Sequence, residues 1–437
     1  MLLMVGHTVL HGDKVNILGI SGSIGWDGNW SMINDVDYCV HGSGATLFVD
    51  GELRNALGEE RMTRIKYDGR YPQNAINKIL TDNDLTNEDI DVVVYVSGAV
   101  LLSYQLKLRG YLTTALKKLY PNARIMTCDH HIAHAAATFY TSGFEEANIF
   151  TFDGAGDFHP DQNWDAPKLN NSSFFNGSLK DKSLENIHNT YITEEGTNSF
   201  GGVYSEYSIM IYEMKVNGVI PSEEDIDSTT INYTNIMKSV LNLHSYSDVK
   251  DITNYNSIIE DDIYDNPKLR ETYPGKIMGL SAYGNHKNLD APDIFKMEME
   301  EGFPIITTDK ETKLHIIKNS ENYKPEDLAD WLQYNFEKYL LIVLDSIPPE
   351  HKKDKLCLGG GCSLNILANS KIIEEGIYKD VHVNTAPNDD GLSFGAAIQA
   401  ATSLEDDLIL PLNQGCLGGE YSDQYIKTCL DNYKESP

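Results

Sequence analysis

The chain has 437 residues, enough for two packed lobes. Its 35 Lys and Arg against 65 Asp and Glu leave a formal charge of −30, spread along the chain, which disfavours a nucleic-acid backbone or an anionic membrane as principal partner because phosphates are repelled. Six cysteines without a CxxC pair make neither a disulfide framework nor a structural-zinc pattern. No stretch approaches the length of a membrane span. The opening MLLMVGHTVLHGDK is too short an apolar run for a signal peptide, so a reducing cytoplasm is the expected setting.

In chain order, VNILGISGS from Val15 reads as a buried strand feeding a tight turn. ATLFVDGELRNAL (45–57) reads as a hairpin around Asp50-Gly51. A helix near 73–81, a buried strand DVVVYVSG (91–98), a helix near 104–118 and a strand ARIMTC (123–128) follow. ANIFTFDGAGD (147–157) then repeats the opening pattern, an Asn-Ile start and an apolar run ending in a glycine turn. Residues 158–195 and 216–270 are rich in Asn, Asp, Ser, Tyr and Glu with little periodicity, and are expected to be insertions, partly loop and partly short helix. The closing elements are strand KLCL, turn GGG, helix SLNILANSKIIEE, strand YKDVHV and a helix from Gly391 to about Ser403, with Ser363 as N-cap and Gly376 as stop for the first helix. Strand–helix alternation twice over predicts a duplicated α/β architecture. The predicted division is a first lobe at 1–146, a second at 147–404, and an extension at 405–437 holding one amphipathic helix at most.

CDHHIAHAAATFY (128–140) carries the chemistry. His130 and His134 at i and i+4 share one helix face, a spacing that suits two imidazoles on one ion. His131 lies about 100° round the helix and is better cast as an acid/base or phosphate contact. An HxxxH on an alanine-rich helix equally serves packing. Asp153 at the next strand end, and Asp389 or Asp390 in PNDDG (387–391), would complete a mixed N/O set fit for iron, manganese or zinc. DGAGD (153–157) and LGGGCSLN (358–365) are glycine turns after strands, where backbone can approach an anion closely. Neither has the Walker A lysine or the dinucleotide glycine spacing.

These pieces resemble the NodU/CmcH-type O-carbamoyltransferases. GEERMTRIKYDGRYP (58–72), DHHIAHAAATFYTSGF, FDGAGD, FGGVYSEYS (200–208), KIMGLSAYG (276–284), LGGGCSLNILANSKI (358–372) and PNDDGLSFGAA (387–397) follow in family order. The resemblance implies the actin-like, sugar-kinase-like duplicated fold, two lobes with a nucleotide and metal cleft between them. It implies that a carbamoyl group, activated as carbamoyl-adenylate from ATP and carbamoyl phosphate, passes to a hydroxyl of a small molecule. His130, His134, Asp153 and Asp389 would hold a divalent ion, iron first, else manganese or zinc; Asp389 is preferred because the family ligand stands two before the glycine. His131 would be the base. Gly360, Gly361 and Asn365 would contact adenosine, with Gly154 and Gly156 near phosphate. Arg61, Arg64 and Lys66 would hold the phosphate or carbamoyl group, or else form a solvated face with Glu59 and Glu60. Lys276 would face nucleotide or cover apolar surface.

Departures from the family pattern are HGSGA (41–45) in place of an HDSSA-like turn, which leaves His41 without an assigned role, and the long segment 158–195. GCLGGEYSDQYIKTCLDNY (415–433) resembles the start of a join to a YrdC-like domain. The expectation is a transfer unit served by a YrdC-like protein in trans, with a homodimer left open. A tRNA threonylcarbamoyl transferase would need a basic face, which a charge of −30 opposes. A sugar kinase would phosphorylate from ATP and need no histidine-bound ion.

Overall fold

The computed structural model describes residues 3–5, 15–22, 42–96, 116–157, 169–192, 198–218, 267–308, 310–404, 410, 415–419 and 421–434. His41, most of the helix expected near 104–118 and most of 216–270 lie outside the described residues.

The strands β1 (Leu3–Val5), β2 (Asn16–Ser21), β3 (Gly44–Val49), β4 (Glu52–Gly58), β5 (Val92–Val96) and β6 (Arg124–Thr127) form one sheet in the order β1-β6-β5-β2-β3-β4. A second sheet contains β7 (Glu146–Phe152), β8 (Leu169–Ser178), β9 (Ser183–Ile192), β12 (Lys355–Gly359) and β13 (Asp380–Val383), in the order β13-β12-β7-β8-β9. In the first sheet β2-β3-β4 run as an antiparallel meander and β5 and β6 add parallel on the other flank, with β1 pairing antiparallel to β6 at the edge; in the second β7-β8-β9 form the meander and β12 and β13 add parallel. The two halves therefore share one topology, which is the duplicated α/β fold expected from the sequence. A small hairpin, β10 (Phe295–Glu300) with β11 (Phe303–Thr308), stands apart from both sheets.

The strands β2 and β5 read as continuous apolar runs because both faces are covered. Ile17, Val92 and Val94 enter one cluster while Leu18, Ile20, Val93 and Tyr95 enter another. The second cluster is closed by helix α2 (Gln73–Asp82), whose Ala75, Ile76, Ile79 and Leu80 form a buried stripe. Between β3 and β4 the turn has Asp50 at φ 52° and Gly51 at φ 78°. Positive φ at both central residues is the two-residue hairpin geometry that Asp-Gly favours.

One expectation fails at 158–195. Residues 169–192 are not loop and short helix but hold the ten-residue strands β8 and β9, two of the three strands of the second meander. LNNSSFFNGS reads as loop because of its Asn and Ser, yet Asn170, Asn171, Ser172 and Ser173 are buried and hydrogen-bonded to one another and to Asn189 and Asn198. Side-chain satisfaction inside the sheet overrides the loop-like composition.

The helix that ends each half packs on the other half's sheet. Helix α3 (His130–Phe139) follows β6 but lies on β7 and β12, whereas α9 (Leu392–Leu404) follows β13 but lies on β2, β3 and β5. The two helices also pack on each other, close enough that a β-carbon on Gly395 would overlap the Ala133 carbonyl oxygen. This exchange brings the start of α3 against the end of β7 and the turn before α9. The second lobe's outer face is covered by α4 (Phe200–Val216), α5 (Pro267–Ser281), α6 (Lys310–Asn319) and α7 (Pro325–Asp345). Helix α8 (Ile366–Glu374) links β12 to β13, and α10 (Asp423–Lys434) is the amphipathic helix of the extension. No helix among the described residues is long and apolar enough to cross a membrane.

Candidate metal centre and its glycine turns

Helix α3 opens at the cleft with its first turn pinned from two sides. Asp129 is the N-cap, accepting the Ile132 N–H at 3.0 Å, and Asp157 Oδ2 accepts the His130 N–H at 2.8 Å. The helix period then stacks His130 over His134, both almost fully buried, with their Nε2 atoms 3.1 Å apart. From the end of β7, Asp153 Oδ2 lies 3.3 Å from His134 Nε2 and 3.7 Å from His130 Nε2. From the turn before α9, Asp389 Oδ1 lies 3.4 Å and 3.6 Å from the same two atoms.

Donor atoms on a sphere of about 2.1 Å radius stand about 3.0 to 3.4 Å apart at octahedral and tetrahedral angles. Three of the observed separations, 3.1, 3.3 and 3.4 Å, fall in that range, the two others stand a little wider at 3.6 and 3.7 Å, and the four donors all lie within 4.8 Å of one another. Two neutral imidazole nitrogens with two carboxylate oxygens form a set fit for iron, manganese or zinc. The residues present therefore fit a divalent ion.

The electrostatics of the cluster follow from burial against paired charge. Burial pulls the His134 imidazole down, but hydrogen bonds to Asp153 and Asp389 and their charge outweigh it, raising its pKa to about 9. His130 is raised by the same balance, with Asp389 its largest opposing influence. Asp153 is held well below the usual carboxylate range; burial opposes this, and both imidazoles overcome it. Asp157 is pushed well up by burial and by the charge of Asp129.

The glycine turns serve this centre directly. Gly360, at φ +88°, donates its N–H to the Pro387 carbonyl at 2.7 Å, two residues before Asp389. A β-carbon there would overlap the Phe152 carbonyl, and only glycine suits that φ. Gly361 N–H donates to Asp153 Oδ2 at 3.0 Å, and Gly154 N–H to Asp153 Oδ1 at 2.8 Å. Gly156 leaves room for a side chain: a β-carbon on it would fall 2.6 Å from His131 Nε2. Each of these amides already has a protein acceptor, Asn170 O in the case of Gly156. The missing β-carbons of Gly360, Gly361 and Gly156 make room for Phe152, Asp153 and His131 in turn.

Other expected residues are dispersed. His131 is fully buried, its Nδ1 2.9 Å from the Thr151 hydroxyl, and burial with the neighbouring His130 and His134 drives its pKa well down. Arg61 is exposed on α1 (Glu59–Thr63), and Arg64 and Lys66 are exposed on the loop that follows. That loop adjoins the centre through Gly42–Ser43: Glu59 N–H donates to the Ser43 carbonyl, and a β-carbon on Gly42 would fall 2.7 Å from Asp390 N. Lys276 lies over the stacked Tyr212 and Tyr273 rings on the α4–α5 packing, the apolar-covering alternative. Ser363 is not the cap of α8. Residues 361–364 form a 3-10 turn, and Asn365 Oδ1 accepts the Ala368 N–H at 3.1 Å. Asn365 also forms a reciprocal amide pair with Gln333, both bonds 3.0 Å, and Tyr204 OH donates to Gln333 at 2.8 Å.

Three supporting residues were not singled out from the sequence. Glu59 is buried, not on a solvated face, and accepts from Asn74 N–H, Asn74 Nδ2 and Ala75 N–H at the start of α2. Asp157 was visible only as the last letter of DGAGD. Gln333 carried no signal, since a polar residue within α7 reads as surface.

A family model described as the carbamoyltransferase N-terminus matches residues 99–398, and the chain belongs to that family. An uncharacterized protein of Synechocystis is 23% identical, over 91% of this chain and 61% of the relative. Nodulation protein NolNO of Sinorhizobium fredii is 25% identical, over 84% of this chain and 47% of the relative. The chain thus spans about half to three-fifths of the length of these relatives. Among solved structures, full-length HypF in its phosphate- and nucleotide-bound form gives a TM-score of 0.49 at 14% identity, covering 91% of this chain and 57% of HypF.

Proposed function

We propose that this chain carries out carbamoyl transfer, moving a carbamoyl group from carbamoyl-adenylate to a hydroxyl of a small molecule. The observation that carries the reading is the convergence of His130, His134, Asp153 and Asp389 on one point beside a glycine turn, in a chain of the carbamoyltransferase N-terminal family. Those four residues hold a divalent ion, iron first, else manganese or zinc. The bound ion supplies positive charge that offsets the adenylate phosphate and polarises the acyl group.

The chain's own groups do the rest. Gly360 and Gly361 take the adenosine part, and Asn365 fixes the helix behind them. Gly154 and Gly156 line the phosphate side. Arg61, Arg64 and Lys66, exposed beside the cleft, meet the phosphate of the incoming donor. His131, kept neutral by burial, takes the proton from the attacking hydroxyl at Nε2 as the carbamoyl carbon–oxygen bond to AMP breaks. A chain of net charge −30 favours a neutral or cationic acceptor. Carbamoyl-adenylate is supplied by a YrdC-like unit acting on ATP and carbamoyl phosphate. Five free cysteines among the described residues suit a reducing cytoplasm.

The test supplies carbamoyl-adenylate to metal-loaded protein and follows AMP release with and without a panel of small hydroxylated acceptors. Acceptor-dependent AMP with a carbamoylated product is expected. AMP release indifferent to every acceptor would contradict the reading. So would pyrophosphate and phosphate release from ATP and carbamoyl phosphate by this chain alone, as regards the supply of the adenylate.

A further inference from the structure

Two consecutive amides of the glycine turn are bound to the two carboxylate-bearing segments. Gly360 N–H holds the Pro387 carbonyl at 2.7 Å, on the segment that carries Asp389. Gly361 N–H holds Asp153 Oδ2 at 3.0 Å, the same oxygen that faces His134 Nε2 at 3.3 Å. The turn is held at its two ends, on either side of residues 361–364. Gly360 is wedged against the Phe152 carbonyl at φ +88°, and Asn365 beyond it is locked to Gln333. Any change in the Asp153 carboxylate is therefore felt one hydrogen bond away by the turn.

We infer that ion binding and adenosine binding are coupled through the Asp153–Gly361 hydrogen bond, each tightening the other without any contact between ion and phosphate. The inference rests on the reading of residues 359–361 as the adenosine site. Without an ion, Asp153 divides its two oxygens among Gly154, Gly361 and two imidazoles. With an ion, Oδ2 is fixed in one place, which orders the Gly361 amide and the turn around it. A ligand that binds an ordered turn gives up less conformational freedom, so its affinity rises. The coupling is reciprocal by thermodynamic necessity. Gly361 is thus a positioning residue for the ion, although it offers no ligand atom.

Adenosine is the deciding probe because it has no phosphate to touch the ion. Calorimetric titration of adenosine into chelator-stripped and Mn²⁺-loaded protein should show tighter binding to the loaded form, by about fivefold or more. Equal affinities would overturn the coupling and leave the adenosine site standing. No adenosine binding by either form would overturn both. The reciprocal test is Gly361→Ala, whose methyl would stand 3.0 Å from Asp153 Oδ1 and press on that carboxylate. Mn²⁺ affinity of this variant, measured against a competing chelator, should fall about fivefold or more, with the thermal midpoint showing that it is folded. Unchanged Mn²⁺ affinity in the folded variant would overturn the inference.

Discussion

His134 carries the sharpest prediction at the scale of one residue. Its imidazole stands at about 9 in the ion-free chain and near about 6.5 when unfolded. A raised folded pKa means that the imidazolium–carboxylate pairing stabilises the ion-free chain fully below pH 6.5, and that this contribution is lost as pH rises through about 9. The thermal midpoint of chelated protein should therefore fall across that window. An ion must displace the same proton, so metal affinity should tighten between pH 7 and 9, by up to about tenfold per pH unit for each proton released. Titrations in two buffers of different ionisation enthalpy would detect the released protons; a flat affinity across the window would count against His134 as a ligand. Gly360→Val should lose adenosine binding and also destabilise the lobe, by about 1–3 kcal/mol, because the branch meets the Phe152 carbonyl as well as the site.

At the scale of elements, Glu59 ties α1 to α2 across fifteen residues. Pro72 at the N-cap of α2 provides no side-chain cap, and the buried Glu59 carboxylate accepts the orphan N–H groups instead. Glu59→Ala should lower stability by about 2–3 kcal/mol, read as a shifted denaturation midpoint, whereas Glu60→Ala should do far less. Equal effects would show that the capping role is wrong. Gly395→Val should force α3 and α9 apart, since even a β-carbon would overlap the Ala133 carbonyl; a large drop in thermal midpoint is expected, with metal affinity falling alongside because His134 rides on α3. The same elements show what the sequence could disclose. Buried strands such as β2, β5 and β7 were legible from uninterrupted apolar runs, and the Asp50-Gly51 hairpin from its turn residues. The strands β8 and β9 were not, because their Asn and Ser are satisfied by partners that only the folded sheet supplies. Likewise His130 and His134 announced themselves by spacing, while Asp157 and Gln333 act on partners 27 and 32 residues away.

At the scale of the whole molecule, duplication is what builds the centre. The first half delivers α3 with His130 and His134, the second delivers the end of β7 with Asp153 and the turn before α9 with Asp389, and because α3 crosses to the opposite sheet these four residues meet at one point. The ion comes before any choice of acceptor, and elemental analysis of protein loaded with iron, manganese or zinc and then dialysed, wild type beside His134→Ala, tests it. One equivalent of divalent metal should stay with each wild-type chain, and nearly all of it should be lost from the folded variant. Equal retention by both, or none by wild type, would rule out the metal centre.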